Sequence, residues 1–353
     1  MPDLVVAGAG MAGLVAAAQA RELGADVLVR EKGDRPGGSM LLSSGVVWRH
    51  RDFARFRGEC PGGDPRLQRL LHDRLDGDLA WLRGLGAKVL DWSTGNPATQ
   101  GLRFCTRSLT GVLAARAGRI ELGRPLRELP DGAPVVLATG GFQADPALLR
   151  EHVTPYADAL LLRATPWSTG DGLRLGAAAG ARTSAGLDEF YGRNMPAPPA
   201  RVHEADFVPL AQLYARHATV EGAGGDRFVT RTWSEIDVVQ WTARQPGARA
   251  RYRVAESELS RPVRERTIGE LVAAAERAGA PVTRAGGTVT VEVVAGITTT
   301  LGGLRVDERA TAAPGVYAAG ADVGGVATGG YASGLAAALV LGRIAAVSAL
   351  EAR

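Results

Sequence analysis

The first thirty-one residues restrict the fold more than any other stretch. LVVAGAG, residues 4–10, is an apolar run that enters glycine. Gly8, Gly10 and Gly13 form G-x-G-x-x-G, with Met11 and Ala12 between the last two. LVAAAQARELG, residues 14–24, has the Ala and Leu content of a helix and stops at Gly24. ADVLVRE, residues 25–31, reads as a second strand and ends in Glu31, 21 positions after Gly10. Each part has a physical reason. Gly8 permits the tight turn, Gly10 lets a pyrophosphate approach the backbone, and Gly13 lets helix and strand pack closely. The helix N-terminus adds unpaired N–H groups and the positive end of its dipole. Glu31 stands at the spacing of a ribose-binding carboxylate. The unit predicts a Rossmann-like α/β fold that binds a dinucleotide, and the glycines alone leave NAD and FAD both open.

The rest of the composition removes other classes. A length of 353 residues suits one large domain or two medium ones. The net charge is +4, but the arginines are interleaved with Asp and Glu, so no nucleic-acid partner is expected. RHRDFARFR (49–57) and ARARYRV (248–254) read as solvated faces. Cys60 and Cys105 belong to no CxxC or Cys/His cluster, so no metal is expected and a reduced, cytoplasmic setting fits. The apolar N-terminus carries Asp3 and lacks a basic leader, which argues against a signal peptide. LAAALVLGRIAAVSAL (335–350) has Arg343 in its middle and reads as a buried helix rather than a membrane span, so no membrane partner is expected. The histidines are scattered, and no GxSxG elbow or Walker A loop supports hydrolase or kinase chemistry.

More glycine motifs follow. GGSMLLSSG (37–45) is small and hydroxylated. VVLATGGF (135–142) is a buried strand that ends in paired glycines, which tolerate positive φ and close backbone approach. TGDGLRLGAAAGA (169–181), TLGGLRVD (300–307), GVYAAGADVGG (315–325) and GGYASGLAAALVLGRIA (329–345) complete the series. In this order the set resembles the flavoprotein family of fumarate reductases and succinate dehydrogenase flavoprotein subunits, which includes tricarballylate-type and 3-ketosteroid dehydrogenases. The resemblance covers nearly the whole chain and marks it as a divergent member.

That resemblance implies FAD. It implies that the GAGMAG turn (Gly8, Gly10, Met11, Ala12, Gly13) takes the phosphates, that Glu31 holds the adenosine ribose, and that Lys32 also contacts the cofactor. Gly38, Ser39, Ser43, Ser44 and Gly45 would line the flavin side. Ala138, Thr139 and Gly140 would pass against the cofactor, and Asp171 would touch it from the TGDG turn. Gly320 and Asp322 would reach the ribityl chain, where the family usually has Glu for Asp322. Ser333, Gly334 and Leu335 would present a helix N-terminus to the flavin pyrimidine edge. Some relatives attach FAD through a histidine in the segment that matches GGSMLLSS; Ser39 stands there, so the FAD is expected to be noncovalent.

The middle of the chain interrupts these motifs. DEFYGRNMPAPPARV (188–202) is proline-rich, and TIGELVAAAERAGA (267–280) reads as an amphipathic helix. The expected organisation is an FAD-binding domain from 1–184 and 296–353, with an inserted α+β cap or substrate domain over 185–295. Flavin would perform the redox step, and the protein would supply a polarising group and an acid or base. GDRFVTRTWSEID (225–237) has Arg231 where fumarate reductases carry Glu, and Glu235 near their catalytic Arg. ITTTLGG (297–303) has Thr298 and Thr299 where they carry histidines. These departures argue against a plain dicarboxylate substrate. The candidate catalytic residues are then Tyr331, where steroid and tricarballylate-type relatives also carry Tyr, together with Tyr191, Arg193 and Arg231. The expected activity is dehydrogenation or ene reduction of a C–C bond beside a carbonyl or carboxylate of a small molecule. An oxidase using O2 and a flavin-binding protein without turnover are the alternatives. No second GxGxxG is present, so the electron donor or acceptor stays open.

Overall fold

The computed structural model describes residues 1–352, and the chain divides into two compact units. The first comprises 1–145, 165–189 and 299–353, and the second 146–164 and 190–298. The sequence boundaries at 184/185 and 295/296 fall at 189/190 and 298/299 here. Residues 146–164 lie with the inserted unit, not with the glycine motifs.

The first unit is built on a six-stranded sheet. Its strand order is Thr311–Ala313, Val316–Ala318, Val135–Leu137, Leu4–Ala7, Val27–Arg30 and Arg119–Glu121. All neighbours are parallel except the hairpin of the first two. The central strands are short and fully apolar because the sheet is covered on both faces. The crossover helix Met11–Glu22 starts three residues before the expected point and is buried on nearly every side. It packs on the C-terminal helix Gly334–Glu351 at backbone distance: a Cβ on Gly342 would fall 2.7 Å from the Ala12 carbonyl oxygen. Small residues make that approach possible, and they leave a helix apolar all round. By length and composition the C-terminal helix could cross a membrane, but most of it is buried in this unit. A three-stranded antiparallel sheet, Val46–His50, Thr99–Phe104 and Val89–Asp91, lies beside this core. The 49–57 stretch is not simply a solvated face: His50 and Phe56 are 1% and 2% exposed.

The second unit is α+β. The long strand Thr288–Thr300 pairs at its start with Arg249–Ala255 and Val282–Ala285, and at its end with Phe190–Pro196 and Leu161–Leu162. Arg249–Ala255 alternates, with Ala250, Tyr252 and Val254 inward and Arg251 and Arg253 outward. The helix Ile268–Arg277 presents Ile268, Leu271, Val272 and Ala275 to the same core, at the spacing of one helical face. Thr267 and Glu270 cap its start reciprocally: the Thr267 N–H donates to Glu270 Oε2 at 2.7 Å, and the Glu270 N–H to Thr267 Oγ1 at 3.2 Å.

Candidate functional site

Three loops leave the carboxyl ends of three adjacent parallel strands: 8–10 after Leu4–Ala7, 138–141 after Val135–Leu137, and 319–322 after Val316–Ala318. In open α/β sheets this edge is where ligands bind. The loops touch through glycine. Gly8 has φ +102°, and a Cβ there would fall 2.2 Å from the Ala138 carbonyl oxygen. A Cβ on Gly13 would fall 1.9 Å from the Gly8 carbonyl oxygen, and one on Gly320 2.9 Å from Ala12 Cβ. Gly140 and Gly141 have φ of +95° and +81°, so the double glycine meets a conformational demand.

Gly10 differs. A Cβ there would meet nothing within 4 Å, and Gly10 caps the Met11–Glu22 helix without a side-chain bond. The helix therefore opens its N-terminus, with Met11, Ala12 and Gly13, onto free space shaped by backbone. That arrangement fits a pyrophosphate. A Cβ on Gly38 would come 3.1 Å from Gly10 Cα, and the Gly37 N–H donates to the Ala9 carbonyl at 2.7 Å, so the 37–38 pair borders the same space.

Glu31 ends its strand with a buried carboxylate that accepts from the Ala9 N–H at 2.5 Å and the Gly33 N–H at 2.6 Å. Lys32 Nζ donates to Thr169 Oγ1 at 2.5 Å and pairs with Asp171 Oδ2 at 3.0 Å. The Gly172 N–H donates to Thr139 Oγ1 at 2.9 Å, which ties the TGDG turn to the ATGG turn. Asp322 takes the Thr139 N–H at 2.5 Å, the Thr139 hydroxyl at 3.0 Å and the Gly141 N–H at 3.0 Å. Burial pushes its carboxyl above the usual range, and those donors oppose the rise. Asp322 thus holds the ATGG turn from behind.

Ser39 Oγ accepts from the Thr165 N–H at 3.2 Å. Ser43 Oγ donates to the Met40 carbonyl at 2.8 Å and accepts from the Gly45 N–H at 3.1 Å. The Ser44 carbonyl accepts from Arg103 Nε at 3.2 Å. Ser333 caps the C-terminal helix, accepting from the Ala336 N–H at 3.3 Å, and donates to the Val46 carbonyl at 3.5 Å. Gly334 opens that helix with no atom within 4 Å of a Cβ, and Leu335 follows it, partly exposed.

Tyr331 precedes this helix in the first unit, its ring edge-on to Trp48 at 5.5 Å. Tyr191 and Arg193 lie two apart on Phe190–Pro196 in the second unit, with the guanidinium 5.2 Å from the Tyr191 ring centre. Arg193 is buried and donates to the Ser234 carbonyl. Glu235 is buried beside it, its carboxyl raised by burial against the pull of Arg193. Arg231 is exposed, with its N–H on Asp237 Oδ2 at 2.5 Å. Arg163 is a residue that sequence reasoning passed over. It is buried, and its Nη1 donates to Thr298 Oγ1 at 2.8 Å. Its one signal was an arginine inside the apolar run LLLRA.

The model of the FAD binding domain family matches residues 3–55 and 96–336. Vinyl phenol reductase of Lactiplantibacillus plantarum is 26% identical over 253 residues, 56% of this chain and 49% of that protein. The chain thus matches about half the length of this curated relative. The open conformation of a flavocytochrome c3 fumarate reductase superposes with TM-score 0.74 at 20% identity, over 99% of this chain and 78% of the other. The 3-ketosteroid-delta4-(5alpha)-dehydrogenase of Rhodococcus jostii gives 0.74 at 20% identity, over 99% and 96%. Both share the fold.

Proposed function

We propose, from the premise that the chain belongs to the FAD binding domain family and binds FAD, that it is an FAD-dependent dehydrogenase or reductase acting on CH–CH groups. Its substrate is a small organic molecule with a carbonyl, carboxylate or comparable activating group beside the C–C bond. The observation that carries this reading is the convergence of three glycine loops on one strand edge, with Gly10 and its helix open. When bound, FAD supplies the hydride acceptor or donor. The residues do the rest. The Gly10–Gly13 turn holds the pyrophosphate, and Glu31, with Lys32 and Asp171 near it, serves the adenosine end. Ala138–Gly140, backed by Asp322 and Gly320, lies along the cofactor. Gly38, Ser39, Ser43, Ser44 and Gly45 line the flavin, with Ser39 leaving it noncovalent. Ser333, Gly334 and Leu335 turn a helix N-terminus to its pyrimidine edge.

Tyr331 moves the proton at its hydroxyl, while Tyr191 and Arg193 hold the activating group and orient the bond. Arg231, exposed, has the weakest place in this set. The second unit serves as the cap and substrate domain. The free thiols of Cys60 and Cys105 suit a cytoplasmic enzyme. The test is a panel of enones, unsaturated carboxylates and vinyl phenols offered to the reduced protein without oxygen. Flavin reoxidation by one class is the expected result. Tyr331→Phe should then lower kcat roughly 100-fold or more at equal FAD content. No reoxidation by any member, with rapid reoxidation in air, would favour an oxidase instead.

A further inference from the structure

The turn that delivers Tyr331, residues 325–331, is fastened along its length by residues 59–68. The Asp64 N–H donates to the Gly325 carbonyl at 2.6 Å, and the Gly62 N–H to the Thr328 carbonyl at 3.1 Å. Gly330 lies so close that a Cβ on it would fall 1.7 Å from the Glu59 carbonyl oxygen and 3.2 Å from Cys60 Sγ. The backbone of Tyr331 interacts with both Cys60 and His50. Gln68 joins the two sides. It is fully buried on the helix Pro65–Gly84. Its Nε2 donates to the Cys60 carbonyl and to the Val326 carbonyl, each at 2.9 Å, and its Oε1 accepts from Arg57 Nη1 at 2.5 Å. Space is reserved for this amide: a Cβ on Gly63 would fall 2.1 Å from Gln68 Nε2. A position that only filled the interior of this helix would not need an amide, because a buried polar group costs free energy unless its donors are matched.

We propose that Gln68 is a positioning residue for Tyr331: through Val326 and Cys60 it fixes the turn that sets where the Tyr331 hydroxyl stands. The inference rests on the role given to Tyr331 above. Gln68→Glu keeps the shape and the Arg57 contact but sets a carboxylate against two carbonyls. Gln68→Met removes the donors without adding charge, should the first variant fail to fold. Two readouts are needed, hydrogen exchange in the FAD-loaded protein and steady-state kinetics. The turn at 325–331 should exchange roughly tenfold faster while 135–142 stays protected, because only the former hangs on this amide. At equal FAD content kcat should fall roughly 10- to 100-fold, with KM changed less, as expected of a misplaced proton donor. A turn as protected as wild type would overturn the proposal. So would a loosened turn with kcat within about twofold of wild type, which would mark the role as structural alone. Loss of kcat in Tyr331→Phe but in neither Gln68 variant would sink the Gln68 proposal by itself. No loss in Tyr331→Phe would sink the reading on which it rests.

Discussion

Gly8 and Gly10, two positions apart in the same motif, ask opposite things of a methyl group. Gly8 has a positive φ and a carbonyl oxygen 2.2 Å from where a Cβ would stand. Gly8→Ala should therefore destabilise the fold by about 2 kcal/mol or more, read from denaturant melts. Gly10 has φ −74° and open space. Gly10→Ala should melt like wild type yet weaken FAD binding by roughly tenfold or more in a titration, because the methyl enters the space kept for phosphate. Equal FAD affinity in Gly10→Ala would remove the pyrophosphate from this turn. His50 gives a second prediction at this scale. Burial lowers its pKa from 6.5 to about 4. The unfolded chain therefore takes up the proton first. Stability is full above about pH 6.5 and is lost as pH falls toward 4, by about 3 kcal/mol in total. His50→Gln should flatten that part of the pH–stability curve, and an unchanged slope would assign the acid sensitivity to other groups.

Among the elements, three helices of the first unit meet around a buried charge, Asp78. Arg343 on the C-terminal helix pairs with Asp78 and donates from Nε to Gln19 Oε1 at 2.6 Å, joining three helices. Burial raises the Asp78 carboxyl, and Arg343 opposes the rise. Asp78→Ala should cost about 2 kcal/mol, because it removes a charged hydrogen bond from a guanidinium that keeps Gln19 and the Trp81 ring, and Asp78→Leu with Arg343→Met should recover most of that. A double variant as unstable as the single would show that packing, not charge, is at fault. The sequence announced these helices well. Residues 267–280 became Ile268–Arg277, and the C-terminal helix begins at Gly334, inside the expected 333–335. Local periodicity and caps decide such elements. The three-stranded sheet and the placement of 146–164 were not legible, because they depend on pairings far apart in sequence, such as Leu161 with Gly296. Glycine loops could be read because each needs a residue type that little else explains. Gln68 and Arg163 could not, since an amide on the buried face of an amphipathic helix, or an arginine in an apolar run, declares a partner only once the partner is in place.

For the whole molecule, we propose that the first unit holds FAD on its strand edge and that the second supplies substrate contacts. The chain shares its overall fold with a fumarate reductase and a ketosteroid dehydrogenase. Thr298 and Thr299 stand where fumarate reductases carry histidines, and Thr298 accepts from Arg163 Nη1, so the proposed function expects a substrate other than a simple dicarboxylate. Fumarate should therefore fail to reoxidise the reduced protein under conditions where an enone or vinyl phenol succeeds. The most direct test of the central claim is the absorption spectrum of the purified protein, repeated on the supernatant after acid precipitation. The account predicts a flavin spectrum in the native protein and free FAD in the supernatant. A colourless protein that takes up no FAD on reconstitution, or flavin that stays with the precipitate, would contradict it.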